Sequence, residues 1–201
     1  MTSSEPSTRS GAGPSDAALV VAARAGEGWA REALFRRYAA LVNGLAFRLM
    51  GRDDEVDDLV QDSFVAALDS LGRLDAPQAF ASWLSSIVVR TCGKLLRRRQ
   101  LMRRFGLRRA ADPIDFDAII SPAAPADAVA ELSAVYRLVQ RLPADVRVAL
   151  VLRRVEGHSL EEIAALTGAS FATIKRRVAE AERLLEKTFA GVTDSQVRSR
   201  T

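Results

Sequence analysis

The side chains of this 201-residue chain that carry binding chemistry fall into blocks of opposite charge. Residues 90–109 hold nine Lys or Arg side chains and no acid, whereas residues 53–75 hold eight acids and one Arg. A basic block is suited to phosphate groups, and an acidic block is suited to a basic protein surface. The pattern predicts that separate surfaces of this chain meet different partners.

Catalytic and metal chemistry find little support in the sequence. The one histidine, His158, and the one cysteine, Cys92, lie 66 residues apart, and no carboxylate motif accompanies them. We therefore expect no metal, no cofactor and no enzymatic activity, with a helical enzyme as the weaker alternative. His158 is predicted to occupy a loop or cap. Cys92 is interpreted as an incidental thiol, although neighbouring Lys94 offers a means of lowering its pKa.

The elements that position these blocks are helical throughout. Apolar residues recur at spacings of three and four, and no alternation of period two is visible. This pattern predicts an all-α fold of two small helical modules joined by a flexible linker rich in Pro and Ala. The predicted segments are a disordered tail at 1–15, a first module at 16–105, a linker at 106–126, a second module at 127–189 and a tail at 190–201. We find no secretion signal and no membrane-length apolar run, so we expect a cytoplasmic protein without membrane contact.

Within the second module, the sequence predicts a helix-turn-helix. Ser159 and Glu162 form a capping box, Gly168 suits a turn with positive φ, and Ile174 follows as an apolar anchor. The second helix of the motif presents polar and basic side chains that suit phosphates and base edges: Ser170, Thr173, Lys175, Arg176 and Arg177. The alternative is a plain helical hairpin with a solvated charged face.

At three places the sequence resembles bacterial RNA polymerase sigma factors. The segment LPADVRVALVLRRVEGHSLEEIAALTGASFATIKRRVAEAERLL at 142–185 resembles their region four. The segments DEVDDLVQDSFVAAL at 54–68 and AFASWLSSIVVRTCGKLLRRR at 79–99 resemble the polymerase-binding helix and the promoter-melting helix of region two. With no domain between these modules, the layout is that of the extracytoplasmic-function (ECF) class.

This resemblance implies a sigma factor that binds core RNA polymerase and directs promoter recognition, DNA melting and transcription initiation. It implies three sets of site residues. Core polymerase would meet Asp57, Asp58, Leu59, Gln61 and Asp62; downstream promoter DNA would meet Arg90, Lys94, Arg97 and Arg98, with Arg99 in the same basic block; upstream promoter DNA would meet Ser170, Thr173, Lys175, Arg176 and Arg177. The implied partners are core polymerase, double-stranded and melted promoter DNA, and an anti-sigma factor.

Several alternatives stay open. A solvated acidic helix face would account for Asp57 to Asp62 without any partner. Arg90 and Lys94 stand where the family often has Asn and Asp, which leaves a sigma-like polymerase-binding protein without melting activity as one alternative. A dimeric helix-turn-helix regulator is the other. Trp83 is interpreted mainly as a core residue, with base stacking as the alternative. The resemblance to sigma factors also implies a pocket for an extruded base near 72–78.

Overall fold

The computed structural model describes residues 13–51, 55–106, 135 and 137–198, with side chains up to 187. The described residues form α-helices and short 3₁₀ turns, with no β-strand among them. The first four helices are α1 (Asp16–Arg24), α2 (Gly28–Met50), α3 (Glu55–Asp69) and α4 (Phe80–Arg104). The last three are α5 (Ala144–Arg154), α6 (Leu160–Thr167) and α7 (Phe171–Arg198). Short 3₁₀ turns cover Leu71–Arg73 and Pro77–Ala79, and residues 137–141 are helical.

Local sequence signals account for several helix boundaries. The Ser15 hydroxyl accepts a hydrogen bond from the Ala18 amide at 3.2 Å and caps α1. Gly51 ends α2 with φ at +82°, a conformation that favours glycine. The next helix, α3, carries acidic side chains in its first turn, where the helix dipole stabilises them.

In the first module, α4 is the central element. Its residues Phe80, Leu84 and Val88 recur at spacings of four and are fully buried. They pack with α1, α2 and α3, which bury their own apolar stripes against the same helix. Trp83 is half-buried beside Phe80, with a ring separation of 6.0 Å, at the edge of this core. The arrangement favours the core interpretation of Trp83.

The two modules pack directly against each other. Helix α4 contacts both α5 and α6, and a single buried cluster runs from Leu84 and Val89 to Leu152, Ile163 and Ile174. A second, smaller cluster lies between α5 and α7. Periodicity alone predicted two modules joined by a linker, and it carried no information on this interface, because both sides of it use the same apolar residue types.

Some predicted segments lie wholly or partly outside the described residues. These are most of the tail at 1–15, nearly all of the linker at 106–126 and the start of the second module at 127–134. Helix α7 continues to Arg198, beyond the predicted module boundary at 189 and into the segment predicted as a tail. None of the described helices is long and apolar enough to span a membrane.

Candidate protein and nucleic-acid interfaces

An acidic face lies on the outside of α3. Asp57, Asp58, Gln61 and Asp62 are all exposed on this helix. They leave four polar side chains free to accept or donate hydrogen bonds to a basic partner. Leu59 differs, because it is only 2% exposed and packs in the core. The prediction that Leu59 contacts a partner is corrected: its side chain fixes the helix, and the polar side chains form the surface.

Apolar side chains border this acidic face. Phe35 of α2 packs against Phe64 of α3 with tilted rings whose centroids are 4.7 Å apart, and Phe35 remains 44% exposed. Val65 of α3 is also exposed. An interface that combines aromatic and apolar contacts with a polar rim is typical of protein partners. The composition of the α3 surface therefore suits a protein with both basic and apolar groups.

A basic face lies along α4. Arg90, Lys94, Arg97 and Arg98 are exposed, and the Arg90 guanidinium donates a hydrogen bond to the Ser86 hydroxyl at 2.7 Å. Helix α4 carries no acidic side chain that would neutralise this face. Cationic side chains spaced along one helix can follow a phosphate backbone, and their binding weakens steeply with salt.

Arg99 does not belong to this basic face. It is 8% exposed, and its Nε donates to a Glu55 carboxylate oxygen at 2.9 Å. The prediction that Arg99 belongs to the phosphate-binding block is therefore wrong. The spacing from Val88 through Cys92 and Leu96 to Arg99 is four, four and three, so Arg99 continues the buried stripe. That spacing was the available sequence signal.

The loop before α4 is fixed by an arginine of α1. The Arg24 guanidinium donates to the backbone carbonyl of Leu71 at 3.1 Å, and also to that of Leu74. These bonds hold the first 3₁₀ turn, Leu71–Arg73, at the start of the 72–78 segment. No sequence pattern indicated this contact, because it joins residues 47 and 50 positions apart.

The helix-turn-helix has the predicted geometry. The Ser159 hydroxyl accepts from the Glu162 amide at 3.1 Å, and the Glu162 carboxylate accepts from the Ser159 amide at 2.7 Å. The latter hydrogen bond lowers the pKa of Glu162. Gly168 ends α6 with φ at +73°, and Ile174 is fully buried. The capping box, the turn glycine and the anchor are confirmed.

The predicted recognition face is brought together at the start of α7. The Ser170 hydroxyl accepts from the Thr173 amide at 3.2 Å and caps the helix. Lys175 and Arg176 are exposed, whereas Arg177 is partly buried and bound to Asp145. The first helix of the motif, α6, also packs on α4 of the first module.

Two acidic residues that the sequence analysis missed form ion pairs between different helices. Asp145 binds Arg97 of α4 and Arg177 of α7, both at 2.6 Å. Glu156 binds the guanidinium of Arg48 in α2 through two oxygens, one of them at 3.0 Å. Both carboxylates look locally like ordinary helix-end charges, so their reach across the module boundary has no signal in the sequence.

Cys92 and His158 have structural positions. Cys92 is fully buried, and burial raises the pKa of its thiol to about 12, although Arg147 of the second module opposes that rise. The idea that Lys94 lowers the pKa of Cys92 is wrong, because desolvation dominates. The His158 amide donates to the Leu152 carbonyl at 3.0 Å in the loop before α6, as predicted.

Each of the two modules matches a known protein family. The family Sigma-70 region 2 matches residues 34–102, and the family Sigma-70, region 4 matches residues 132–185. The ECF RNA polymerase sigma factor SigM of Mycobacterium tuberculosis is 32% identical over 174 residues, covering 86% of this chain and 84% of SigM. The ECF RNA polymerase sigma-E factor of Haemophilus influenzae is 30% identical, covering 85% of this chain and 93% of that protein.

Solved structures share the fold. CnrH, in complex with the cytosolic domain of CnrY, superposes with a TM-score of 0.58 at 26% identity, covering 89% of this chain and 99% of CnrH. The sigma factor RpoE of Bartonella quintana, in complex with the anti-sigma factor NepR, gives a TM-score of 0.59 at 23% identity, covering 79% of this chain and 96% of RpoE.

Proposed function

Because this chain belongs to the extracytoplasmic-function sigma factors of bacterial RNA polymerase, we propose that its three exposed surfaces divide the work of transcription initiation. The chain is an initiation factor that binds RNA polymerase and directs it to promoters, as the family does. Sigma factors are initiation factors rather than enzymes. The observation that carries the division of work is the separation of one acidic face on α3 from two basic faces on α4 and α7.

The acidic face of α3 is the polymerase contact in this proposal. Asp57, Asp58, Gln61 and Asp62 are exposed on one helix, and apolar Phe35 and Val65 are exposed nearby. Charge-assisted hydrogen bonds would set the orientation, and the apolar groups would add buried area.

Helix α4 is the downstream promoter contact. Arg90, Lys94, Arg97 and Arg98 present charge to the phosphates of the strand that separates during melting. An extruded base would sit near the 72–78 loop, which Arg24 holds in place. Strand separation by this helix is part of the proposal.

The start of α7 is the upstream promoter contact. Ser170 and Thr173 offer hydroxyls, Lys175 and Arg176 offer exposed cations, and Arg177 becomes available when it leaves Asp145. The affinity of holoenzyme for promoter DNA falls with salt, and replacing Arg176 with Ala should make the slope of log affinity against log salt less negative by about 1. An unchanged slope would remove Arg176 from the phosphate contacts.

We also propose an anti-sigma protein as a partner, since both solved relatives were captured with a bound protein. Core polymerase and promoter DNA, double-stranded and melted, are the partners of the active state. Its place of action would be the cytoplasm, where the polymerase works.

Reconstitution with core RNA polymerase on a pool of genomic promoters, followed by sequencing of transcript starts, tests the function. The expected result is a set of starts that share two spaced promoter elements. Asp62→Asn should weaken core binding, and Asp69→Asn, which removes the same charge at the C-terminal end of α3, is the matched control. Equal weakening in the control would show that only general charge matters, and the α3 assignment would fail.

Permanganate reactivity of unpaired thymines in the same complexes tests melting. Reactive thymines in the downstream element, lost on Arg90→Ala with Lys94→Ala, would support the α4 assignment. Tight polymerase binding without reactive thymines would favour the adaptor that does not melt DNA. Palindromic footprints by the protein alone would favour the dimeric regulator.

A further inference from the structure

Arg24 joins two parts of the first module that are far apart in the sequence. It is the last residue of α1, and its Nε donates to the Leu71 carbonyl at 3.1 Å. Its Nη2 donates to the Leu74 carbonyl. A guanidinium suits two acceptors at once, because its donors form a planar fork, whereas an ammonium is a point charge. One side chain therefore binds both ends of the stretch 71–74, where the 72–78 loop begins.

Both sides of this contact are anchored in the core. On α1, Leu19 and Val20 are fully buried and Ala23 is 1% exposed. On the loop, the side chains of Leu71 and Leu74 are buried as well. Packing thus holds the two elements in place, and the hydrogen bonds of Arg24 determine the path of the loop backbone between them.

The loop that Arg24 fixes is open to solvent. Gly72, Arg73, Asp75 and Gln78 are exposed, so a nucleotide can reach them. A short exposed loop loses conformational freedom when it orders around a ligand, and this entropy cost opposes binding. Fixing two of its carbonyls in advance lowers that cost.

We propose that Arg24 is a positioning residue for promoter opening, because it presets the 72–78 loop in the conformation that captures the extruded base. This inference rests on the proposed function, which places that base at this loop. Extruding a base costs unstacking and unpairing energy, which its capture must offset as the strands part. A preset loop captures the base without first having to order, so the promoter opens faster. Arg24 itself touches no base.

The size of the effect follows from the loss of a charged hydrogen bond. In Arg24→Lys the charge remains, but a single ammonium does not reproduce the planar fork across two carbonyls. A hydrogen bond from a charged donor changes an equilibrium by about tenfold when the donor is exposed, as Arg24 is. Promoter opening should therefore slow about tenfold. Affinity for core polymerase should stay unchanged, because the proposed polymerase contact is on α3.

The test measures the rate at which holoenzyme opens a promoter, followed by permanganate reactivity of unpaired thymines. It compares the wild-type full chain with Arg24→Lys and Arg24→Ala. The matched control is Arg31→Ala, which removes an exposed arginine from α2 in the same module. Affinity for core polymerase is measured for each of the four proteins.

Both Arg24 variants should open the promoter about tenfold more slowly at unchanged core affinity, and Arg31→Ala should behave as wild type. Opening at the wild-type rate by Arg24→Lys would overturn the proposal, because charge alone would then suffice. A loss of core affinity that matches the loss of opening rate would also overturn it, because Arg24 would then support only the fold.

Single abasic nucleotides in the separating strand test the link to the extruded base. At each position of the downstream element, the opening rate of wild type is divided by that of Arg24→Lys. This ratio should be about ten on the intact promoter and fall to about one at the position whose base enters the loop, since no base is left there to capture. A ratio that stays the same at every position contradicts the positioning role.

Promoter opening by wild-type holoenzyme separates this proposal from the proposed function. If wild type opens promoters and Arg24→Lys opens them equally fast, the positioning role alone fails. If wild-type holoenzyme does not open promoters, the proposed function fails whatever the Arg24 variants do.

Discussion

Gly44 of α2 should respond to alanine substitution differently in two backgrounds. A Cβ at this position would lie 2.8 Å from Nη1 of Arg48, one turn further along the helix. The Arg48 guanidinium binds both oxygens of Glu156 and so joins α2 to the loop after α5. The new methyl group would therefore have to displace the arginine from its partner in the second module.

The magnitude is the balance of two opposing contributions. Replacing Gly with Ala inside a helix stabilises a protein by about 0.5–1 kcal/mol. The Arg48 and Glu156 side chains are 40% and 17% exposed, and a two-oxygen ion pair of this kind contributes about 1 kcal/mol. The free energy of unfolding of Gly44→Ala should therefore stay close to that of the parent. In a Glu156→Gln background, where no ion pair is left to lose, the same substitution should stabilise by about 0.5–1 kcal/mol.

Urea unfolding followed by helical circular dichroism measures all four proteins of this cycle. A coupling energy of about 1 kcal/mol between positions 44 and 156 is the expected outcome. If Gly44→Ala stabilises equally in both backgrounds, the guanidinium accommodates the methyl without leaving Glu156, and the reasoning is refuted. An unchanged slope of the unfolding free energy against urea concentration in all four proteins is required for this comparison, because a changed slope reports altered compactness or loss of two-state unfolding.

Three further predictions concern the buried interior. Ile174→Ala, which truncates the fully buried anchor of α7, should lower the free energy of unfolding by about 3 kcal/mol in urea, and a loss below about 1 kcal/mol would contradict the anchor role. Cys92, buried with its pKa raised to about 12, should react with a disulfide reagent at neutral pH more than about a hundredfold more slowly than in the unfolded chain, and comparable rates would contradict its burial. Burial and Asp16 raise the pKa of Tyr38 from 10.0 to about 12, so its stabilising contribution is complete below pH 10 and is lost as pH rises to 12. Between these pH values the free energy of unfolding of Tyr38→Phe should fall by about 1–2 kcal/mol less than that of the parent, as measured by urea unfolding at each pH.

Local signals predicted the helix-turn-helix well because its determinants are close in sequence. The capping box needs Ser159 and Glu162 three positions apart, and the turn needs a residue that tolerates positive φ at 168. Each is a short-range backbone requirement that a particular residue type satisfies. The charged faces of α3 and α4 were predictable for a similar reason, since helical spacing assigns side chains to faces.

The burial of a side chain was harder to predict than the charge of the helix face to which its neighbours belong. Leu59 was grouped with the polar residues of its motif although it lies on the apolar stripe of α3. Arg99 was grouped with its basic neighbours although its spacing continues a buried stripe. In both cases the identity of adjacent residues outweighed helical periodicity, which is the physical determinant of burial.

The contacts between modules had no signal in the sequence. Asp145 reaches Arg97 across 48 positions, and Glu156 reaches Arg48 across 108. A carboxylate near a helix end is common, and its partner depends on how whole helices pack. The ion pairs between the two modules could therefore be found only in the tertiary structure.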